Sequence, residues 1–312
     1  MSRQHLVVGL GELLWDLLPT GKRLGGAPAN FAVMSARLGN HAVIASRIGA
    51  DALGDEALAR LSAFPADLGY IQRDTQHPTG SVSVALHDGQ AEYIFERPVA
   101  WDFLAATPQW LTLARHADAV CFGTLAQRDE DSRKTIAAFL SATSPDCLRI
   151  FDVNLRQPFF SAEVLSASLS KATLVKLNDA EMQQVLVLLG FSSGCSTDEA
   201  SLLQGAKLLL KHFPVRLVCI TMGPHGSLLV TQQSHHRHHG FPATVADTVG
   251  AGDAFTAALV HYYLQNAPLT VLNEAGNRWG SWVTSQPGAM PDLPPQTQKQ
   301  IETSIQQATT IS

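Results

Sequence analysis

The stretch "DTVGAGDAF", residues 247–255, carries residue types and a spacing that could do chemistry. Gly250 and Gly252 allow backbone conformations that other residues rarely adopt, so neighbouring amide groups can converge on one point. The apolar run "TAALVHYYL" that follows predicts a helix, and the unpaired N–H groups and positive dipole at a helix start favour an anion. The motif therefore predicts either an anion hole or a plain helix start in which Asp253 is the N-terminal carboxylate.

Asp253 has a chemical use if the bound anion is a phosphoryl group. A carboxylate at this point can deprotonate an attacking hydroxyl, and the loose transition state of phosphoryl transfer needs only a weak base. The amides of Gly250, Ala251 and Gly252 would then stabilise charge on the phosphate oxygens. The lysine-bearing loop G-x-x-x-x-G-K-[ST] is absent, and "GLGELL" (9–14) matches G-x-G-x-x-G only in part, because Leu14 stands in the last glycine position.

The composition is that of a cytoplasmic globular protein. The chain has 312 residues, 46% hydrophobic and 16% charged, which is enough for a large buried core. A net charge of −5, with no run of five Lys or Arg, argues against nucleic acid or an anionic membrane as partner. The N-terminal apolar stretch is interrupted by Glu12 and Asp16, so it is a poor signal peptide and too short to span a bilayer. No C-x-x-C pair occurs, and we expect reduced thiols at Cys121, Cys147, Cys195 and Cys219.

Short apolar strands alternate with helical segments along most of the chain. Strands are predicted at 5–11, 42–48, 118–123, 148–153, 172–178 and 216–221. Several are continuously apolar, as strands buried on both faces should be. The alternation predicts an α/β fold with a doubly wound, mostly parallel sheet and helices on both faces.

Two regions depart from this alternation. Residues 79–98 read as two extended segments joined at Asp88 and Gly89, which predicts an antiparallel hairpin. We expect a small β lid, built from about 13–27 and 79–103 and inserted into a single domain spanning 1–312. The histidine cluster "HHRHH" (235–239) is predicted to be a solvated loop without a metal site.

The glycine–aspartate motif has a counterpart near the N-terminus. "GGAPANFAVMSARLG" (25–39), with Gly49 ten residues further on, resembles the N-terminal signature of the ribokinase-like (PfkB) carbohydrate kinases. "DTVGAGDAF" resembles their C-terminal signature, more than 200 residues later and in the family's order. The resemblance runs from about residue 5 to 295. It implies a ribokinase-like fold with a β lid, and transfer of phosphate from ATP to a sugar hydroxyl with Mg²⁺ as cofactor.

The resemblance also implies roles for individual residues. The catalytic base falls on Asp253, and the anion hole on Gly250, Ala251 and Gly252. Sugar contacts fall on Asp16, Gly25, Gly26 and Asn30, and residues of the kind found near substrate or phosphate are Arg97, Asn154 and Arg156. Nucleotide contacts fall on Asn178, Thr221, Gly223, Gly226 and Asn277.

Metal roles follow from the same resemblance. "NDAE" (178–181) is similar to the family's N-x-x-E motif, so Asn178 and Glu181 would order Mg²⁺ and phosphate through water, with help from Asp152. From the residues alone, a capping box is the alternative role for Glu181. Asp247, Val249 and Gly288 fall on positions that bind a monovalent cation, such as K⁺, in some family members.

The acceptor sugar is less well defined. "DVNLRQPFF" (152–160) and "FERPVAWDFL" (95–104) look most like fructokinase-type members, which implies fructose, but 2-keto-3-deoxygluconate kinases share much of this pattern. A sugar- or nucleotide-binding regulator without catalysis is the alternative from a different class. A dinucleotide oxidoreductase is indicated only by "GLGELL", and the acidic residue expected about 20 positions later is absent. The exposed edge of the lid predicts a homodimer.

Overall fold

The computed structural model describes residues 4–19, 21–87, 90–191 and 196–311. The chain divides into two compact units, Met1–Cys147 and Leu148–Ser312, and the single-domain organisation stays a prediction. Within the described ranges, no helix is long and apolar enough to cross a membrane. Cys121, Cys147 and Cys219 are buried free thiols, and Cys195 lies outside the described residues.

The first unit holds a parallel sheet and a separate small sheet. In chain order its elements are β1 (Leu6–Leu10), β2 (Leu14–Leu18), β3 (Gly21–Gly25), α1 (Ala27–Arg37), β4 (His41–Gly49), α2 (Ala52–Leu61), β5 (Ile71–Asp74), β6 (Gly80–His87), β7 (Gln90–Phe95), α3 (Pro108–His116), β8 (Ala119–Gly123) and α4 (Glu130–Ala142). Strands β8, β1, β4 and β5 lie side by side in that order and are parallel. Val7, Val8 and Leu10 are fully buried, as expected for an apolar strand covered on both faces.

The small sheet of the first unit has the strand order β3-β2-β6-β7. Strand β2 pairs antiparallel with β3 and parallel with β6, and β6 pairs antiparallel with β7. These strands fall inside the two segments predicted to form the lid, so the predicted antiparallel hairpin is confirmed. The predicted turn residues Asp88 and Gly89 lie outside the described residues.

The second unit repeats the strand–helix alternation. Its elements are β9 (Leu148–Asp152), α5 (Ala162–Lys171), β10 (Leu174–Asn178), α6 (Asp179–Leu188), α7 (Glu199–His212), β11 (Leu217–Thr221), β12 (Ser227–Val230), β13 (His235–His238), α8 (Ala251–Leu264), α9 (Leu269–Thr284) and α10 (Pro295–Ile311). Strands β9, β10 and β11 are parallel, whereas β12 and β13 continue the sheet antiparallel.

The histidine cluster corrects one expectation. We predicted a solvated loop at 235–239, but His235–His238 form β13 at the edge of the sheet, and His236–His238 are half-buried. The strand forms because its backbone pairs with β12 from Ser227 to Val230, while Asn273 and Glu274 of α9 contact the imidazole rings. Polar side chains can occupy such a strand when a neighbouring helix supplies hydrogen-bond partners.

Candidate active site

The glycine–aspartate motif forms the start of α8. Gly250 is the N-cap and has a φ of 79°, in the left-handed region. A Cβ atom at this position would lie 2.6 Å from the Cα of Ala289, so both the conformation and the space require glycine. Helix α8 then begins at Ala251 and places Asp253 in its first turn.

The first turn of α8 has the properties of an anion site. A helix start leaves amides without intrahelical partners and carries the positive end of the dipole. The Ala251 amide makes only a long contact of 3.4 Å to the carbonyl oxygen of Thr248. Gly252 and Asp253 are half-buried rather than covered. This turn can therefore bind phosphate oxygens beside a carboxylate.

Lys176 lies directly beneath this turn, and our sequence analysis gave it no role. Its Nζ atom donates to Asp152 at 3.1 Å from Oδ1 and 3.3 Å from Oδ2. A Cβ atom on Gly252 would lie 2.9 Å from the same Nζ. The only sequence signal is a lysine with apolar residues on both sides in the strand "LVKLN".

Several carboxylates keep Lys176 charged. Burial by itself would lower the pKa of Lys176, but the nearby carboxylates of Asp152, Glu181 and Asp253 outweigh it and raise that pKa. Asp152 is 4% exposed and also accepts a hydrogen bond of 3.4 Å from the Thr256 hydroxyl. A permanent positive charge therefore lies under the proposed anion hole, adding to the field of the helix dipole.

Asn178 and Glu181 form the start of α6 in the way the capping-box alternative requires. The Asn178 side chain accepts from the Glu181 amide at 2.8 Å, and Glu181 Oε2 accepts from the Asn178 amide at 2.8 Å. Glu181 Oε1 accepts from the Leu155 amide at 2.8 Å, which joins the segment after β9 to α6. The carboxylate is thus fixed by backbone donors, and its remaining lone pairs can accept hydrogen bonds from water.

A pocket of about 330 Å³ opens beside the start of α8. Six residues predicted for the nucleotide site or anion hole line it: Thr221, Gly223, Gly226, Ala251, Gly252 and Asn277. Sequence reasoning missed other lining residues, among them Gly240, Phe241, Val245 and Phe255. These give the pocket an apolar wall suited to a planar base.

Two of the lining residues have their own local requirements. Asn277 on α9 donates to the Ser227 hydroxyl and to the Asn273 carbonyl, both at 2.7 Å. Gly226 has a φ of +85°, and a Cβ atom there would lie 2.1 Å from the carbonyl oxygen of His238. The turn that ends at Gly226 therefore packs its backbone directly against the backbone of 238–240.

Asp247, Val249 and Gly288 are brought together, as their proposed cation role requires. Asp247 accepts from the Val249 amide at 3.0 Å and from the Gly288 amide at 3.2 Å. These bonds alone give the Asp247 carboxylate a structural function, so cation binding stays a prediction. In the described part of the chain, no group of three or more His, Cys, Asp or Glu side chains converges as a metal site.

Four predicted sugar-binding residues of the first unit meet around the start of α1. A Cβ atom on Gly25 would lie 3.1 Å from Asp16 Oδ2, and one on Gly26 would lie 2.4 Å from the Glu12 carbonyl oxygen. The amide of Asn30, which is 5% exposed, donates to the Gly26 carbonyl at 2.9 Å. Gly25 thus lets the Asp16 carboxylate lie close to bare backbone, and Gly26 lets the chain before α1 pack directly on the backbone at Glu12.

The other predicted sugar residues lie outside this group. Arg97 follows β7 in the first unit, and its side chain is exposed. Asn154 and Arg156 follow β9 in the second unit, where Asn154 has a φ of 39° and Arg156 is exposed. Their part in sugar or phosphate binding stays a prediction.

The family model, a related sequence and two related structures all name the same kind of protein. The family model for "pfkB family carbohydrate kinase" matches residues 18–296. A fructokinase of Salmonella typhimurium is 32% identical, with 91% of this chain and 95% of that protein covered. The crystal structure of a fructokinase from Vibrio cholerae O395 with bound fructose, ADP and calcium is similar, with a TM-score of 0.77, 25% identity, and 97% and 99% of the two chains covered. A sugar kinase from Pyrococcus horikoshii in complex with ATP has a TM-score of 0.79, 25% identity and the same coverage.

These comparisons agree with the two signature motifs and with the observed strands and helices. The expected α/β class, with a mostly parallel sheet and a smaller second sheet, is confirmed. The family match covers well over half of the chain. The chain belongs to the pfkB family of carbohydrate kinases and is a sugar kinase with the ribokinase-like fold.

Proposed function

We propose that the chain transfers the γ-phosphate of ATP to a hydroxyl of fructose, with Asp253 as the base. The observation that carries this proposal is the pocket of about 330 Å³, whose lining joins the predicted nucleotide residues to Ala251 and Gly252 at the start of α8. Asp253 is the next residue of the same helical turn. The named relatives from Salmonella typhimurium and Vibrio cholerae support fructose as the acceptor.

In this mechanism the start of α8 supplies both charge stabilisation and the base. The nucleotide lies in the pocket with its terminal phosphate at the first turn of α8. The amides of Gly250, Ala251 and Gly252 donate to phosphate oxygens while charge develops on them. Asp253 accepts the proton of the attacking hydroxyl, which needs little base strength in a loose transition state. The charge of Lys176 behind Gly252 favours the anion without touching it.

Mg²⁺ fits the residues near this turn as a hydrated ion. Mg²⁺, when bound, would supply positive charge that offsets the charge of the phosphate groups. Asn178, Glu181 and Asp152 would hold its waters, and both Glu181 oxygens are already oriented by backbone amides. Asp247, Val249 and Gly288 would hold a monovalent cation such as K⁺ next to the loop that leads into α8.

Roles in sugar or phosphate binding are proposed for residues of each unit separately. In the first unit, Asp16, Gly25, Gly26 and Asn30 offer acceptors and donors in pairs, which suits adjacent hydroxyl groups. Arg97 of that unit, and Asn154 and Arg156 of the second, would contact sugar or phosphate. The edge strand β7 of the small sheet, where Ile94 is 44% exposed, is the proposed dimer contact.

The substitution Asp253→Asn tests the mechanism. Losing the base should lower turnover on the order of 10²–10⁴-fold, while binding of ADP to the pocket persists. Asp292→Asn is the matched control, because Asp292 is an exposed carboxylate outside the site. Turnover of Asp253→Asn equal to that of the control would refute the assignment of the base.

A second experiment tests the acceptor. ADP release from ATP should be measured with fructose, 2-keto-3-deoxygluconate, ribose, glucose and inosine. The proposal expects the highest kcat/KM with fructose. A higher value with 2-keto-3-deoxygluconate would move the chain to that acceptor, and ADP release with none of them would favour a sugar- or nucleotide-binding regulator.

A further inference from the structure

A second cavity shares part of its wall with the nucleotide pocket. It measures about 360 Å³ and is lined by β13, the segment after it, α9 and Ala308 of α10. His236, His238 and Glu274 are among its residues. Gly240 and Phe241 line this cavity and the nucleotide pocket alike. Contacts made in the histidine-lined cavity therefore fix one wall of the nucleotide pocket.

His238 makes the contact that holds this shared wall. Its Nδ1 atom accepts a hydrogen bond of 2.9 Å from the Gly240 amide. Its Nε2 atom lies 2.9 Å from Glu274 Oε2, and the two side chains are 14% and 13% exposed. Since a backbone amide can only donate, Nδ1 must be unprotonated, and the proton of the neutral ring is on Nε2, donated to Glu274.

Gly240 in turn contacts Gly226, one of the residues predicted to bind the nucleotide. A Cβ atom on Gly226 would lie 2.3 Å from the Gly240 amide nitrogen, so the two backbones touch. Phe241 is held by the same network, because the Arg278 guanidinium lies 4.4 Å from the centre of its ring and donates to Glu274 Oε1 at 2.5 Å. Glu274 thus links Phe241 of the shared wall, through Arg278, to His238.

The charged and titratable groups that face His238 come from its own strand and from α9. On β13, the Arg237 guanidinium donates to the His238 carbonyl, and the pKa of His236 is lowered by burial and by the charge of His238. On α9, Glu274 is the direct partner, and Arg278 balances its charge. One carboxylate, two guanidinium groups and a second imidazole therefore surround His238.

We infer that His238 is a positioning residue of the nucleotide pocket, which holds the Gly240–Phe241 wall in place only while its imidazole ring is neutral. Protonation puts a second hydrogen on Nδ1, opposite the Gly240 amide. Two donors then face each other, the bond is lost, and the wall is released. Nucleotide affinity should therefore be lower when this ring is protonated than when it is neutral. The inference rests on the proposed place of the nucleotide in the pocket of about 330 Å³.

The experiment compares ADP affinity at about pH 8 and about pH 5, the range over which histidine changes charge. The variant His238→Asn keeps an acceptor oxygen close to the place of Nδ1 but cannot be protonated. Between the two pH values, the ADP affinity of the parent protein should fall about three- to tenfold more than that of His238→Asn, which corresponds to one broken hydrogen bond. Dividing the change in the parent by the change in the variant removes the effect of the phosphate groups of ADP, which titrate equally for both proteins.

Two controls make the outcomes decisive. His116→Asn removes an exposed histidine on α3 of the first unit and should keep the pH dependence of the parent protein. If the ADP affinity of the parent does not depend on pH, the inference is overturned even when His238→Asn does not fold. The inference is also overturned if the parent and His238→Asn show the same pH dependence. Failure of the parent to bind ADP at pH 8 would instead overturn the proposed nucleotide site.

Discussion

Replacing Lys176 by methionine should destabilise the protein strongly, because it leaves the Asp152 carboxylate buried without its cation. The ammonium lies 3.1 Å and 3.3 Å from the two carboxylate oxygens, and the two side chains are 11% and 6% exposed. The Thr256 hydroxyl, at 3.4 Å, is a weak substitute. Breaking a buried ion pair by removing one partner costs about 3–5 kcal/mol, and we expect Lys176→Met to lose that much unfolding free energy.

The double variant Asp152→Asn/Lys176→Met separates the ion pair from the packing of the side chains. Removing both charges leaves no isolated charge in the interior, and such replacements are often close to neutral. We expect the double variant to recover most of the stability lost in Lys176→Met. The raised pKa of Lys176 means that the pair is intact throughout the neutral range. On the alkaline side, its stabilisation is lost as the pH rises through that raised pKa.

Urea unfolding measures these differences, provided that the dependence of the unfolding free energy on urea is unchanged. Lys207→Met is the matched control, because Lys207 is an exposed lysine on α7. A loss below about 1 kcal/mol in Lys176→Met would refute the importance of the buried pair. A double variant as unstable as the single one would show that the methionine, rather than the uncompensated charge, is responsible.

Three further outcomes follow from the geometry. Gly250→Ala should lower the melting temperature far more than Gly190→Ala. Both glycines have positive φ, but only a Cβ atom at 250 would meet a neighbour, 2.6 Å away at Ala289. Equal thermal shifts would contradict this. Tyr262 should ionise only near pH 12, because burial raises its pKa to about 12. The ultraviolet absorbance of tyrosinate, compared between the parent and Tyr262→Phe, measures this ionisation. A difference spectrum that titrates near pH 10 would contradict the prediction. Ile94→Lys should weaken self-association, since Ile94 is 44% exposed on the edge strand β7; light scattering that finds the parent monomeric would end the dimer proposal.

The apolar strands and the glycine motifs were predictable because their causes are local. Strand β1 was expected at 5–11 and spans Leu6–Leu10. Helix α1 spans Ala27–Arg37, with Pro28 in its first turn and Gly39 in the left-handed region just beyond its end, and both are local signals of helix ends. The left-handed turn at Gly250 and the helix after it were implied by the glycine spacing and the apolar run.

The features that were missed depend on partners distant in sequence. His235–His238 lack the alternation of apolar and polar residues that marks a strand, and their stabilising contacts come from Asn273 and Glu274 on α9. Lys176 stood out only as a lysine in an apolar strand, because its partner Asp152 is 24 residues away. Pairings of this kind are set by tertiary packing rather than by local pattern.

The short distance between position 252 and the ammonium of Lys176 has a consequence for how this site can change. A methyl group at 252 would occupy the space in which the lysine now ends, 2.9 Å from its nitrogen. A side chain at 252 therefore requires the end of Lys176 to shift, and Lys176 can shift only as far as its ion pair with Asp152 allows. Positions 252, 176 and 152 are thus coupled, and a library that randomises all three together should recover combinations that no single-position library contains. The residue at position 252 is therefore limited by Lys176 of β10 as well as by the ligand that this turn binds.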